Sequence, residues 1–349
     1  MKKIILAAAY IVLSGIINLG NAQDIHLSQF YQTPLLVNPA LTGMFNGDHR
    51  VFINYKDQWG SIGEPYKTSL LSYDLMVGKK KRKTSYLGLG LSVFNDKAGE
   101  FEMGITQVNL SVSGIVIING NQVLSAGMQG GFAQRSINTE NLRWGNQFNG
   151  KNYNPAINSG ESFEPSSYGD ISAGLSWSYG VKKTNMSSND QFKVNAGIAL
   201  LHINKPKQSF YADGNETLYS KLVVHGGSYI GIKRTSMALV PGALILLQGP
   251  TREVNVGAML RYTLKEESKY TGLLKETAVY FGGYYRVGDA FIPSFMFEMA
   301  NFTLGLSYDV NISSLKTASN GQGGLELSFR YMSPNPFRSG KGTKYTPML

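Results

Sequence analysis

Short stretches that alternate strictly between apolar and small or polar residues recur along the whole of this chain, and no other feature constrains its fold as much. Between Asp170 and Tyr179, Ile171, Ala173, Leu175 and Trp177 would fall on one side of an extended backbone, with Ser172, Gly174 and Ser176 on the other. From Val254 to Tyr262, Val254, Val256, Ala258, Leu260 and Tyr262 oppose Asn255, Gly257, Met259 and Arg261. Phe302, Leu304, Leu306 and Tyr308 likewise oppose Thr303, Gly305, Ser307 and Asp309, and Leu325, Leu327, Phe329 and Tyr331 oppose Glu326, Ser328 and Arg330. A helix would scatter these residues around its axis, whereas a strand sends successive side chains to opposite faces. The chain is therefore built from β-strands with two unlike faces.

Fourteen such segments are expected, near residues 50–59, 67–77, 86–96, 104–117, 122–135, 168–179, 192–203, 222–233, 237–248, 253–264, 277–286, 290–298, 302–310 and 324–331. Most have the length that a tilted membrane-spanning strand needs, about 9–11 residues. Charged residues make up only 16% of the chain, against about 25% in soluble domains. The most apolar stretch after the N-terminus, Met237 to Leu247, is interrupted by Pro241 and Gly242, so it cannot supply the roughly 20 apolar residues of a spanning helix. These features predict an all-β fold: a transmembrane antiparallel outer-membrane β-barrel of about 14 strands over 50–331. Closure is required because an open strand edge in lipid leaves backbone groups unpaired, at several kcal/mol each.

Loop lengths give an independent check. In bacterial barrels the periplasmic turns are short and the outer loops long. With the first strand running outward, Asn119-Gly120-Asn121, Arg234-Thr235 and Met299-Ala300-Asn301 fall inside, and 136–167, 204–221 and 311–323 outside. The connections 180–191 and 265–276 are longer than that rule asks. Pro241 and Pro293 remove ladder donors, which predicts bulges or shifted strand boundaries at those positions.

The N-terminus reads as a secretory signal over 1–22: Lys2 and Lys3, an apolar run Ile4 to Leu13, and small residues at Gly20-Asn21-Ala22. With no Cys in the chain, disulfides and thiolate metal sites are excluded, as is lipidation of an N-terminal cysteine. The net charge of +10 carries no nucleic-acid signature; the basic residues sit in expected turns. Lys79 to Lys83 form a solvated turn or a docking patch for an acidic periplasmic partner, and the basic tail 332–349 is a disordered end or a periplasmic contact.

No catalytic, cofactor or metal constellation stands out: His26, His49, His202 and His225 are dispersed, and no nucleophile elbow or phosphate loop is present. The one pairing that a barrel hydrolase reading offers is His202 with Asp213 at the outer rim. Gly127 to Gly131 lies in a strand pattern, where glycine permits close backbone approach. The outer loop 136–167 holds Trp144, Gln147, Phe148 and Tyr153 among Asn, Gly and Pro, a composition suited to binding a partner or to packing within the loop.

The segment before the first strand is the most distinctive: Gln23-Asp24-Ile25-His26-Leu27-Ser28-Gln29-Phe30-Tyr31, then Pro34-Leu35-Leu36-Val37-Asn38-Pro39-Ala40-Leu41-Thr42-Gly43, then Asn54-Tyr55-Lys56-Asp57-Gln58-Trp59. With Leu142 to Phe148 and Asp170 to Leu175, this succession resembles the PorP/SprF family of the type IX secretion and gliding system. The resemblance implies an outer-membrane barrel without enzymatic activity or cofactor. It also implies work with type IX ring or lipoprotein components and with secreted cargo bearing a C-terminal sorting domain, in export of a surface adhesin or in surface anchoring. The signature residues it singles out are Phe30, Tyr31, Pro34, Asn38, Pro39, Ala40, Gly43 and Trp59. Pro34, Pro39 and Gly43 preclude one long helix or strand over 23–49, so this segment is expected as a plug in the lumen or an arm docked on a neighbour. The rival reading is a porin-like barrel or a channel for hydrophobic compounds.

Overall fold

A computed structural model describes residues 25–60, 63–78, 84–99, 101–139, 142–154, 156–158, 160, 163, 165–181, 189–211, 214–265, 276–314 and 316–333. The signal-like segment, the Lys79–Lys83 run, Asp213 and the tail beyond Ser333 lie outside these.

Fourteen strands follow one another in antiparallel neighbour pairs: β1 (His49–Gln58), β2 (Tyr66–Val77), β3 (Ser85–Ala98), β4 (Met103–Asn119), β5 (Gln122–Ser136), β6 (Ser166–Val181), β7 (Phe192–Leu201), β8 (Lys221–Gly231), β9 (Met237–Gln248), β10 (Thr251–Lys265), β11 (Thr277–Arg286), β12 (Ala290–Met299), β13 (Phe302–Asn311) and β14 (Gln322–Met332). The barrel closes between β1 and β14, with Val51 opposite Tyr331 and Asn54 opposite Ser328. The strands expected from alternation are all present. Where one stops short, a left-handed residue turns the chain: Trp59 (φ 62) after β1, His202 (φ 54) after β7 and Arg234 (φ 60) after β8.

The prolines behave differently from expectation. Pro241 pairs in register with Ala258, and Pro293 with Gly283. On their other sides the ladders skip a few residues and resume in unchanged register, at Gly227–Gly242 and Ile230–Leu239, and at Phe291–Val310 and Ser294–Ser307. A lost N–H donor costs one ladder bond without requiring an extra residue, so no bulge forms there. The register shifts lie instead near strand ends, at Ile117/Asn119, Thr263/Lys265 and Asp309/Val310.

The alternation sorts cleanly between outside and inside. Leu110, Met128, Phe132 and Leu175 are outward and more than half exposed, while Asp170, Ser172 and Ser176 between such residues are buried. A belt of outward apolar side chains this extensive belongs in hydrocarbon and not in water. At the rim where the chain enters and leaves the barrel, rings cluster: Phe302 with Tyr331 (5.0 Å between centroids), and Trp177 with Tyr179 (6.3 Å). Aromatic girdles of this kind mark membrane–water interfaces. We call this end the termini rim, and the opposite end, which carries the connections 137–165, 202–220 and 312–321, the long-loop rim.

Candidate functional site

The lumen is occupied by the chain itself. Leu27 to Leu35 and Val37 to Phe45 are buried inside the strand wall. Prolines set the local conformation of this arm. Pro34 opens α1 (Pro34–Val37), where its missing N–H is an orphan in any case. Pro39 opens a single 3-10 turn, Pro39–Leu41, capped by the Asn38 side chain, which accepts from the Ala40 N–H at 2.9 Å. Between these turns the backbone stays compact, and side chains leave it in all directions toward the wall.

Near the long-loop rim the arm is held by charge. Ser28 N–H and Gln29 N–H donate to the Glu326 carboxylate (2.6 and 3.1 Å), and the Ser28 hydroxyl donates to Asp309 (2.6 Å). Lys56 and Arg286 flank that aspartate at 3.2 and 3.0 Å, and each also donates to Ser28 Oγ (3.1 and 2.7 Å). His26 lies 3.7 Å from Glu253. Burial, reinforced by Arg286 and Lys56, holds its imidazole well below the usual histidine range.

In mid-lumen Phe30 and Tyr31 meet Tyr284 from the wall, with centroids 5.3 and 5.2 Å apart, within a cluster that includes Met259, Ile292 and Met296. Burial pushes the Tyr31 phenol well above its ordinary range. Asn38 reaches the opposite wall. Its amide donates to the carbonyls of Leu175 (3.0 Å) and Ile198 (3.3 Å) and lies 3.0 Å from His225 Nε2. A Cβ at Gly174 would collide with Asn38, and one at Gly127 with Pro39, so glycine lets the arm touch the wall backbone there. Ala40 is fully buried, and its carbonyl accepts from Ser125 (2.7 Å).

Toward the termini rim Gly43 turns the arm with φ +71, and its N–H donates to Asp74 (2.8 Å). Arg50 forks onto the same carboxylate (2.9 and 2.7 Å), donates to the Leu41 carbonyl (3.1 Å) and lies 4.5 Å from the Phe45 ring centre. The arm thus runs from one rim of the barrel to the other.

Seven of the eight signature residues therefore sit together in the lumen. Trp59 does not; it stands at the long-loop rim, where its backbone N–H donates to the Gly323 carbonyl (2.7 Å) and its ring meets Tyr66 edge-on at 5.2 Å. The loop residues separate as well. Tyr153 donates to Gln147 Oε1 (3.0 Å) and to the Leu142 carbonyl (3.2 Å), and Gln147 donates to the Ile157 carbonyl (2.8 Å). Trp144 stacks on Phe163 at 5.9 Å, and Phe163 meets Tyr211 at 5.3 Å. These residues brace the loop, whereas Phe148 projects from it, 56% exposed. His202 pairs with Asp170 at 2.9 Å. Asp213 lies outside the described residues.

The signature residues singled out from the sequence did not include the buried ionisable side chains Lys56, Arg286, Asp309 and Glu326, although Lys56 stands within the motif and strand parity placed Asp309 and Glu326 on the inner face. A charged residue at an inward position of an otherwise small-residue face was the available signal.

No curated protein matches the sequence. Among solved structures, the P. putida toluene transporter TodX is similar at 10% identity and a TM-score of 0.43, covering 87% of this chain and 94% of its own. A Pseudomonas aeruginosa FadL homologue is similar at 12% identity and 0.40, with 84% and 92% covered. CdiB from Acinetobacter baumannii is similar at 9% identity and 0.40, over 81% of this chain, which spans 60% of CdiB. The family model described as type IX secretion system membrane protein PorP/SprF matches residues 19–331, and this chain belongs to that family.

Proposed function

We propose that this chain is a non-enzymatic outer-membrane anchor of type IX secretion, delivered by a signal peptide over 1–22. In this reading it holds a protein partner, either secreted cargo with a C-terminal sorting domain or a ring or lipoprotein component of the machinery. The observation that carries the reading is an occupied lumen: the arm spans the barrel and is bonded to its wall at both ends. An open porin needs a continuous wet path, which this packing opposes. The arm over 23–49 then acts as a plug, and Phe148 with its braced loop is the contact point offered to a partner on the outside.

Affinity purification of the tagged protein from detergent-extracted outer membranes, followed by mass spectrometry, tests this. Stoichiometric recovery of cargo with a C-terminal sorting domain, or of ring components, is the expected result. A clean barrel under conditions that preserve other envelope complexes would sink the reading and favour transport.

A further inference from the structure

The arm crosses the lumen in one direction. At the termini rim the Gly43 N–H donates to Asp74, near the end of β2, and the chain then enters β1 at His49. Farther in, Asn38 reaches the carbonyls of Leu175 and Ile198, and Phe30 and Tyr31 meet Tyr284. Ser28 lies beyond them, bonded to Lys56 and Asp309 near the long-loop ends of β1 and β13. His26 comes last, 3.7 Å from Glu253 at the long-loop start of β10. Ser28 is fully buried, whereas the His26 side chain is 19% exposed. Followed toward its beginning, the chain is therefore leaving the packed interior at the long-loop mouth.

The lumen has no room for it to turn back. On the β3–β6 side, a single Cβ added at Gly88, Gly127 or Gly174 would already collide with the arm. On the β8–β12 side, Phe30 and Tyr31 pack against Met259, Tyr284, Ile292 and Met296. A second pass of chain needs far more space than one methyl group, and packed interiors hold few voids larger than a water molecule. The other end of the chain is fixed at the termini rim, where the Ser333 N–H donates to the His49 carbonyl (2.8 Å) and its carbonyl accepts from the Asp48 N–H (3.2 Å).

We infer that the chain upstream of Ile25 emerges through the long-loop mouth while the tail after Ser333 emerges at the termini rim, so that the two ends of one polypeptide stand on opposite faces of the membrane. Fourteen antiparallel strands return the wall to the rim where it began, and it is the threaded arm that carries the N-terminal end across. A protein on the long-loop face can then grip the segment before Ile25 while one at the termini rim grips the tail, which gives the chain a handle in each compartment. The inference does not rest on the secretion reading, since it concerns the path of the chain alone.

The test is sidedness on whole cells carrying the full chain. A short hydrophilic epitope is placed between Gln23 and Asp24 (downstream of the signal segment), after Lys151 in the long-loop connection, or after Leu349. Antibody binding is read before and after the outer membrane is permeabilised, and heat-dependent gel mobility confirms that each barrel is folded. Whichever face the barrel presents, the epitopes at Gln23 and Lys151 should respond alike and the one after Leu349 in the opposite way. An epitope at Gln23 that responds with the one after Leu349 would overturn the inference. Where an inserted epitope blocks folding, single-cysteine variants replace it without background, because the chain has no cysteine. These are Asp24→Cys, Lys151→Cys and Ser339→Cys, labelled with a membrane-impermeant sulfonated maleimide. Asp24→Cys should label together with Lys151→Cys and stay silent wherever only Ser339→Cys reacts. Labelling that follows Ser339→Cys, or silence of Asp24→Cys from both faces, would overturn the path as well.

Discussion

Two stretches of the arm are fastened by different physics. At the long-loop end, four ionisable side chains converge on Ser28 and Gln29, and the fit depends on charge balance in a buried place. From Asn38 to Thr42 the arm instead lies against wall backbone exposed by Gly88, Gly127 and Gly174, and the fit depends on the absence of side chains. The first kind of contact is intolerant of losing a charge. The second is intolerant of gaining an atom. An arm built this way is positioned exactly once along the lumen, because sliding it would strand ions at one end and collide with the wall at the other.

The largest effect should come from breaking the charge balance. Asp309→Asn takes the paired carboxylate from Lys56, while Arg286 keeps Asp289 at 2.9 Å and Glu253 at 3.6 Å, and an uncompensated buried charge costs about 3–5 kcal/mol. Because the chain has no cysteine, Ile25→Cys gives a background-free probe, and maleimide labelling of its thiol should accelerate strongly in the Asp309→Asn background. Unchanged labelling would mean that the ionic end does not hold the arm.

Gly174→Val attacks the steric end. Overpacking costs roughly 1–3 kcal/mol where neighbours can yield, and here the neighbour is Asn38. We expect raised and flickering single-channel conductance in planar bilayers, most pronounced when 23–43 is deleted outright. A silent barrel after that deletion would remove the plug function. Asn38→Ala takes away the cap on Ala40 and two bonds to wall carbonyls, and should cost about 1–3 kcal/mol, read as a lower unfolding temperature by the heat-dependent gel mobility of the barrel.

Acid should act weakly, through His26 at the Ser28–Gln29 end. Seating lowers the His26 pKa, so a released arm, titrating near an ordinary histidine value of about 6.5, binds more protons over the interval between the two. Seating is therefore unaffected above about pH 6.5 and weakens as pH falls below it, a trend that His26→Gln should abolish in the same labelling assay. The smallest effect belongs to Phe148→Ala, within about 0.5 kcal/mol in stability because the ring is exposed, yet it should reduce partner recovery if the loop binds one. Tyr153→Phe, which loosens the loop brace, separates loop order from direct contact.

Much of this molecule was written locally. Strand number, strand faces and the positions of the long loops follow from a period of two and from turn residues, which any stretch such as Asp170–Tyr179 displays without reference to its neighbours. The compact form of the arm was equally local, in Pro34, Pro39 and Gly43. The separation of Trp59 from the other signature residues was not local, nor was the distinction between Phe148 and the bracing residues around it. Both depend on which loop or strand stands opposite.

Alternation could state that Lys56, Arg286, Asp309 and Glu326 point inward. Only the closed barrel decided that they meet, because β1, β11, β13 and β14 become neighbours around one lumen when β1 pairs with β14. The same holds for the arm and the glycines that admit it. A missing side chain on a strand leaves room, but what fills that room is chosen by whatever the closed wall encloses, and in this protein that is residues 25–45 of its own chain.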